Sequence, residues 1–242
     1  MATVILVRHG RTTANAGGLL AGRTPGVRLD ELGHSQAEHT AERLAAVALV
    51  AVVSSPLERC RETAEHILNR QHGHPLTPIE PGITECDYGQ WQGRTLKELS
   101  TEKLWSVVQS QPSAAAFPGG ESMAAMQARS VQAVRRLDAE FDAEYGAGAV
   151  WVAVSHGDII KSVLADALGM HLDLFQRLNV NPASVSIVRY GPHRPEVLAT
   201  NTESGDLSWL RASTPAEDAA VGGGAGHEPA TASGRAAPAP RS

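Results

Sequence analysis

Val4-Ile5-Leu6-Val7 sets four apolar residues in succession, and the chain then turns polar without a spacer into Arg8-His9-Gly10-Arg11. An unbroken apolar run of this length predicts a strand covered on both faces, as in a parallel sheet between helices. The pattern recurs where Val52-Val53 runs into Ser54-Ser55-Pro56-Leu57-Glu58-Arg59, and where Trp151-Val152-Ala153-Val154 runs into Ser155-His156-Gly157-Asp158. Between these runs the apolar positions follow helical spacing. Asp30 caps a helix whose inward face is Ala37, Ala41, Leu44, Ala45 and Ala48. Ser55 to Glu58 reads as a capping box with Pro at the first helical position, starting a helix to about Gln71. Residues 76–81 read as a short strand, and Thr95 with Glu98 caps a helix to about Gln109. Ser122 opens a long helix striped by Met123, Met126, Val134, Leu137, Phe141 and Tyr145. A helix from Asp158 ends at Gly169, a short helix covers 172–178, and residues 184–190 and 197–201 form two closing strands. The predicted fold is a three-layer α/β/α sandwich: a mostly parallel central sheet, helices on both faces, and a small helical lid excursion over 83–120.

Composition divides the chain into a domain over 1–211 and a tail over 212–242. From Ala212 onward there is no aromatic residue, and Val221 is the only large aliphatic one. Such a tail buries too little apolar surface to offset its ordering entropy, and disorder is expected there. A net charge of −5 gives no basic footprint for nucleic acid. No apolar run approaches the roughly 18 residues a membrane span needs, and a core strand starts at once, so a cytoplasmic protein without signal peptide is expected. Cys60 and Cys86 are too few for a disulfide framework. His34, His39, His66, His72, His74, His171, His193 and His227 have no metal-ligand spacing and read as surface positions; neither metal nor other cofactor is expected. Edge strands near either terminus leave room for pairing into a homodimer.

If the three strands are neighbours, Arg8, His9, Arg59 and His156 meet at their carboxyl edge, where open α/β sheets place ligands. Two guanidinium forks and a helix N-terminus suit a phosphate group. A neutral imidazole attacks phosphorus in line to give a phosphohistidine that water hydrolyses. The leaving alkoxide needs a proton from an acid still protonated near neutral pH. In the aromatic, Gly-rich stretch from Ile83 to Gly93, Glu85 suits that role best, with Asp87 as its competitor. Glu121 reads as a helix-start charge, Arg11 and Arg23 as surface charges, and Cys60 as a small core residue.

Arg8-His9-Gly10, Ser55-Pro56-Leu57 with Arg59, Glu85 with Gly89 and Gly93, and Ser155-His156-Gly157 together resemble the histidine phosphatase superfamily, which includes cofactor-dependent phosphoglycerate mutases. The resemblance covers about Thr3 to Asn201. Pro118-Gly119-Gly120-Glu121 and His156 to Lys161 are similar to an actinobacterial phosphatase and phosphomutase branch. The resemblance implies His9 as the phosphorylated residue, Arg8, Arg59 and His156 as the phosphate pocket, and Glu85 as proton donor. Asn15 matches a position that contacts the phosphoryl group in relatives, and Gly157 completes the last of the four motifs as a substrate-binding residue. Mutases of the family usually carry Glu where this chain has Arg11 and Trp where it has Ala14. They also have a longer insertion before the second His, with an Arg-Arg pair after the loop; here Arg135-Arg136 falls inside the long helix. The expected activity is hydrolysis of a small phosphorylated metabolite, with a phosphomutase as the alternative. A phosphoryl-binding scaffold or a protein phosphatase module is a third reading, although all five pocket residues that turnover needs are present.

Overall fold

The computed structural model describes residues 2–204 and 221–226. The three apolar runs become strands β1 (Thr3–Arg8), β2 (Ala51–Ser54) and β3 (Val150–Ser155), followed by β4 (Val185–Tyr190) and β5 (Pro195–Thr202). Their order in the sheet is β2-β3-β1-β4-β5. The first three strands are mutually parallel, with Arg8 in register with Ser155 and Ser54 with Val154, so their carboxyl ends reach one edge together.

The expectation of a mostly parallel sheet needs correcting. β4 runs antiparallel to β1 and β5 antiparallel to β4, so the pairings divide evenly between the two kinds. A short turn, closed by Gly191 N–H to the Arg194 carbonyl at 3.1 Å, joins β4 to β5. So short a connection permits only a hairpin, because a parallel return needs a crossover.

Among the described residues seven α-helices accompany the strands: α1 (Thr13–Ala16), α2 (Glu31–Leu44), α3 (Glu58–Asn69), α4 (Leu96–Leu99), α5 (Lys103–Ser110), α6 (Met123–Tyr145) and α7 (Gly157–Ala167). Alternate strand residues feed two cores. Val4, Leu6, Val53, Trp151 and Ala153 face α6 and α7, whereas Ile5, Val7, Val52, Val152 and Val154 face α2 and α3. Asp30, Thr95 and Ser122 cap their helices as expected.

The single helix expected over 95–109 is broken into α4 and α5. Ser100 and Thr101 turn their hydroxyls back onto the Lys97 and Glu98 carbonyls at 2.8 Å each, a local alternative to continuing the helix. Residues 76–81 make only two isolated bridges to β2, at Leu76 and Ile79. The excursion over 83–120 packs Tyr88, Trp91, Trp105 and Phe117 into the core beside α6. Of the expected tail, 212–220 and 227–242 lie outside the described residues, while 221–226 have a defined place, with Val221 only 2% exposed. Among the described residues no helix is long and apolar enough to cross a membrane.

Candidate active site

The carboxyl edge of β1, β2 and β3 gathers Arg8, His9, Arg59, Glu85 and His156, each no more than 3% exposed. Arg8 ends β1, and Ser155 and His156 leave β3 at the same level. Arg59 stands in the first turn of α3, and Glu85 comes in from the lid, whose Ile83 carbonyl accepts from Ser155 Oγ at 2.8 Å. Gly10 has no room for a side chain, since a Cβ there would lie 2.3 Å from the Gly33 carbonyl oxygen. That close approach seats the start of α2 against the His9 loop.

His9 Nδ1 lies 2.7 Å from the Gly10 carbonyl oxygen. A carbonyl only accepts, so Nδ1 carries the proton and Nε2 keeps its lone pair. Arg59 Nε donates to that Nε2 at 3.3 Å. Burial first, then the charges of Arg59 and Arg8, hold the His9 pKa well below its ordinary value, so the ring is neutral at physiological pH.

His156 has the opposite arrangement. Ser55 Oγ lies 2.8 Å from its Nε2 and receives the Leu57 N–H at 3.5 Å; with the Ser55 hydroxyl donating to Nε2, the His156 proton sits on Nδ1, the nitrogen that faces Glu85. Ser55 is therefore not the helix cap expected of it. Leu57 takes the N-cap position of α3 with no side-chain bond, because Ser55 is buried against His156. His156 Nδ1 stands 3.9 Å from Glu85 Oε2. Burial, then Arg59, His9 and Arg8, keeps His156 neutral, so this contact is not a salt bridge.

Arg8 donates from Nη1 to the Val180 carbonyl at 2.8 Å and from Nη2 to the Gly224 carbonyl at 2.7 Å, and Arg59 Nη2 donates to the Gly22 carbonyl at 2.8 Å. Arg8 Nε and Arg59 Nη1 are buried and have no partner among the described residues. A buried unmet donor costs about 1–3 kcal/mol, more when charged. Burial lowers the Arg8 pKa to about 10, which still leaves a cation at neutral pH. His156 caps α7 without a side-chain bond, so the first amides of that helix add their positive end to the site.

Of the two acids in the lid, Glu85 is buried, accepting from the Cys86 amide at 2.9 Å. Asp87 is turned outward to the Gly89 amide and Arg23. Burial, reinforced by the charge of Asp158, pushes the Glu85 pKa up to about 7 against the pull of Arg59, the Cys86 amide and Arg8. Asn15 lines the mouth of the cavity with its Oδ1 held by Thr12, and Gly157 opens α7. Cys60 is fully buried, as expected of a core residue, and burial pushes its thiol up to about 12.

Several contributors escaped sequence reading. Asp158 is fully buried and accepts from the Tyr88 hydroxyl at 2.7 Å and the Gly222 amide at 3.0 Å. Glu121 is neither a simple helix-start charge nor a lining residue. It binds Arg129 Nε and Arg23 Nη2 at 2.9 Å each and the Asp87 amide at 2.8 Å. Both arginines also donate to the Glu85 carbonyl, at 2.8 Å from Arg23 and 3.1 Å from Arg129. The only signal in the sequence was the acidic residue at Asp158, directly after His156-Gly157 and ahead of the apolar pair Ile159-Ile160. Among the described residues no cluster of three or more His, Cys, Asp or Glu is placed to hold a metal ion.

A glucosyl-3-phosphoglycerate phosphatase of Mycolicibacterium vanbaalenii is 32% identical over 174 residues, covering 70% of this chain and 76% of its own. The Yersinia pestis protein named "Probable phosphoglycerate mutase GpmB" is 31% identical over 195 residues, covering 78% and 86%. The structure of a mycobacterial glucosyl-3-phosphoglycerate phosphatase complexed with VO3 superposes with a TM-score of 0.74 at 26% identity, covering 83% of this chain and 99% of that one. The model of the histidine phosphatase superfamily, branch 1, matches residues 4–203, and the chain belongs to that family.

Proposed function

We propose that this protein is a phosphomonoesterase that acts through a phosphohistidine on a small phosphorylated metabolite. The observation that carries the reading is the unprotonated Nε2 of His9, beside two buried guanidinium groups that each keep an N–H without a partner among the described residues. A phosphoryl group supplies acceptors for Arg8 and Arg59 and an electrophile for His9 at once. His156 Nδ1–H and the amides at the start of α7 add further donors to its equatorial oxygens. In the first step the His9 Nε2 lone pair forms the N–P bond, the P–O bond to the leaving group breaks, and Glu85 gives its proton to the departing alkoxide. In the second, Glu85 as carboxylate takes a proton from water, the oxygen attacks phosphorus, and the N–P bond breaks to release inorganic phosphate. A carboxyl pushed up to about 7 is suited to both directions of that transfer.

Arg135 and Arg136 support hydrolysis over transfer, since they pair with Asp166 and Glu80 from α6, away from the site. The arginines near the mouth, Arg11 and Arg23, are engaged with Asp30 and Glu121. Steady-state phosphate release from a panel of phosphomonoesters, beside His9→Ala, tests the reading. Release abolished in the variant is expected. No release, with 3-phosphoglycerate isomerised once a bisphosphate primer is supplied, would overturn hydrolysis in favour of the mutase.

A further inference from the structure

The family match ends at residue 203, yet residues 221–226, Val-Gly-Gly-Gly-Ala-Gly, return to the pocket. Val221 is buried in the core cluster that contains Leu20 and Tyr88. The Gly222 amide donates to Asp158 Oδ2 at 3.0 Å, and a Cβ on Gly222 would lie 2.9 Å from Leu20 Cδ1. Gly223 lies over both the Arg8 guanidinium and the start of α7: a Cβ there would stand 3.2 Å from Arg8 Cζ and 3.2 Å from Gly157 Cα. The Gly224 carbonyl then takes the Arg8 Nη2 proton at 2.7 Å. Gly222, Gly223, Gly224 and Gly226 all have positive φ, so this path over the pocket is open to glycine and strained for other residues.

We infer that Val221–Gly226 is an autoinhibitory strap, seated where the substrate's phosphoryl group must bind and displaced by it. This rests on the reading of Arg8 as a phosphate-binding residue. Three observations carry it. The strap places a carbonyl oxygen, a neutral acceptor, on the N–H that a phosphate oxygen would take with greater strength. It lies over the amides that open α7, the second donor set of the pocket. Val221, Gly222 and Gly224 line the same cavity as His9, Arg59 and Glu85, so the strap takes up space beside the nucleophile. Val221 and the Gly222 amide anchor one end, so release of Gly223 and Gly224 opens the phosphate position. The apparent affinity for any phosphate ligand is reduced by the fraction of molecules whose strap is open.

Hydrogen exchange on the full chain, with and without inorganic phosphate, reads the competition without turnover. Phosphate is expected to protect peptides containing His9 and Arg59 while exchange at 221–226 rises. Protection of the pocket with 221–226 unchanged or further protected overturns the strap and leaves the phosphate reading intact. Gly223→Val in the full chain cannot seat against Arg8. It is expected to lower KM and the inhibition constant of phosphate about tenfold with kcat within twofold, on the basis that an open fraction near one tenth rises to near one. Val221→Asp, which removes the apolar anchor, is expected to do the same. A fall of kcat/KM in both variants would show a lid that completes the site and would overturn autoinhibition. Failure of phosphate to bind to wild type and both variants would remove the competitor and overturn both readings together.

Discussion

Asp158→Asn isolates what sets the proton donor. Asp158 lies in the first turn of α7, fully buried, and after burial itself its charge is the largest cause holding the Glu85 pKa at about 7. Asn keeps the size and an acceptor for Tyr88 or the Gly222 amide, and it removes the charge. A close opposite charge lowers a carboxyl pKa by about 1–3 and a like charge acts with the reverse sign; with about 1.5 taken from that range, the Glu85 pKa is expected to fall by that much when the Asp158 charge is removed. The donor must be protonated to act, and the alkaline limb of kcat/KM moves down with it. With a limb near 7 falling to about 5.5, activity at pH 7.5 drops roughly 25-fold while activity at pH 5 changes by less than about 1.5-fold. Profiles are measured on one substrate, which cancels the titration of its own phosphate. Tyr88→Phe is the control, since it removes the 2.7 Å hydroxyl contact and leaves the charge. A limb that stays in Asp158→Asn, or moves by the same amount in Tyr88→Phe, refutes the electrostatic account of Glu85.

Glu85→Gln tests the same group through stability. A carboxyl whose pKa is raised on folding favours the folded state below its ordinary value of 4.5, and that advantage is lost as pH climbs through about 7. The loss amounts to about 3 kcal/mol, so Glu85→Gln should melt above wild type at pH 8 and show no such advantage at pH 4.5, by calorimetry. It should also slow hydrolysis of alkyl phosphates by about 10²–10⁴ and of a nitrophenyl phosphate, whose leaving group needs no proton, by far less; equal losses on both would deny Glu85 the donor role. Glu121→Ala leaves Arg129 and Arg23 without their shared carboxylate beneath the Glu85 loop. Removing one member of such a partly buried network costs about 3 kcal/mol, and kcat should fall more than KM changes, because the loop carrying the donor is released. Unaltered stability and kcat would show that the cluster does not position Glu85.

The strands and the meeting of Arg8, His9, Arg59 and His156 at one edge were legible because each of the four stands where an apolar run stops. Arg8, His9 and His156 are placed by β1 and β3 alone, and Arg59 by the turn that follows β2. Local pattern failed where a side chain had two uses. Ser55 has the spacing of a helix cap, and only the neighbouring strand, which brings His156 to 2.8 Å, decides that its hydroxyl goes there. Asp158 and Glu121 act across long sequence separations on Tyr88, Arg23 and the Glu85 loop, and no window of sequence displays that. Residues 221–226 escaped for a different reason. Apart from Val221 they bind through backbone groups, the Gly222 amide and the Gly224 carbonyl, and main-chain contacts leave no signature in side-chain composition.

The two histidines show how far neighbours decide a role. His9 and His156 are both buried, both held neutral, and their rings lie 5.3 Å apart at 63°. Burial and pKa do not distinguish the two rings here. The partner of the remote nitrogen does. Gly10 offers His9 a carbonyl, which can only accept, so the proton is drawn to Nδ1 and Nε2 is left bare beside the Arg59 Nε. Ser55 offers His156 a hydroxyl, which can give Nε2 a proton as a carbonyl cannot, and when it does the imidazole N–H is on Nδ1. One ring thereby presents a lone pair and the other an N–H to the same small volume, with opposite polarity where an electrophilic phosphorus and its oxygens would sit. Exchanging the partners, an acceptor behind His156 or a donor behind His9, would reverse the roles without moving either ring. The polarity of the pair is thus set through Gly10 and Ser55, each by the nitrogen it faces.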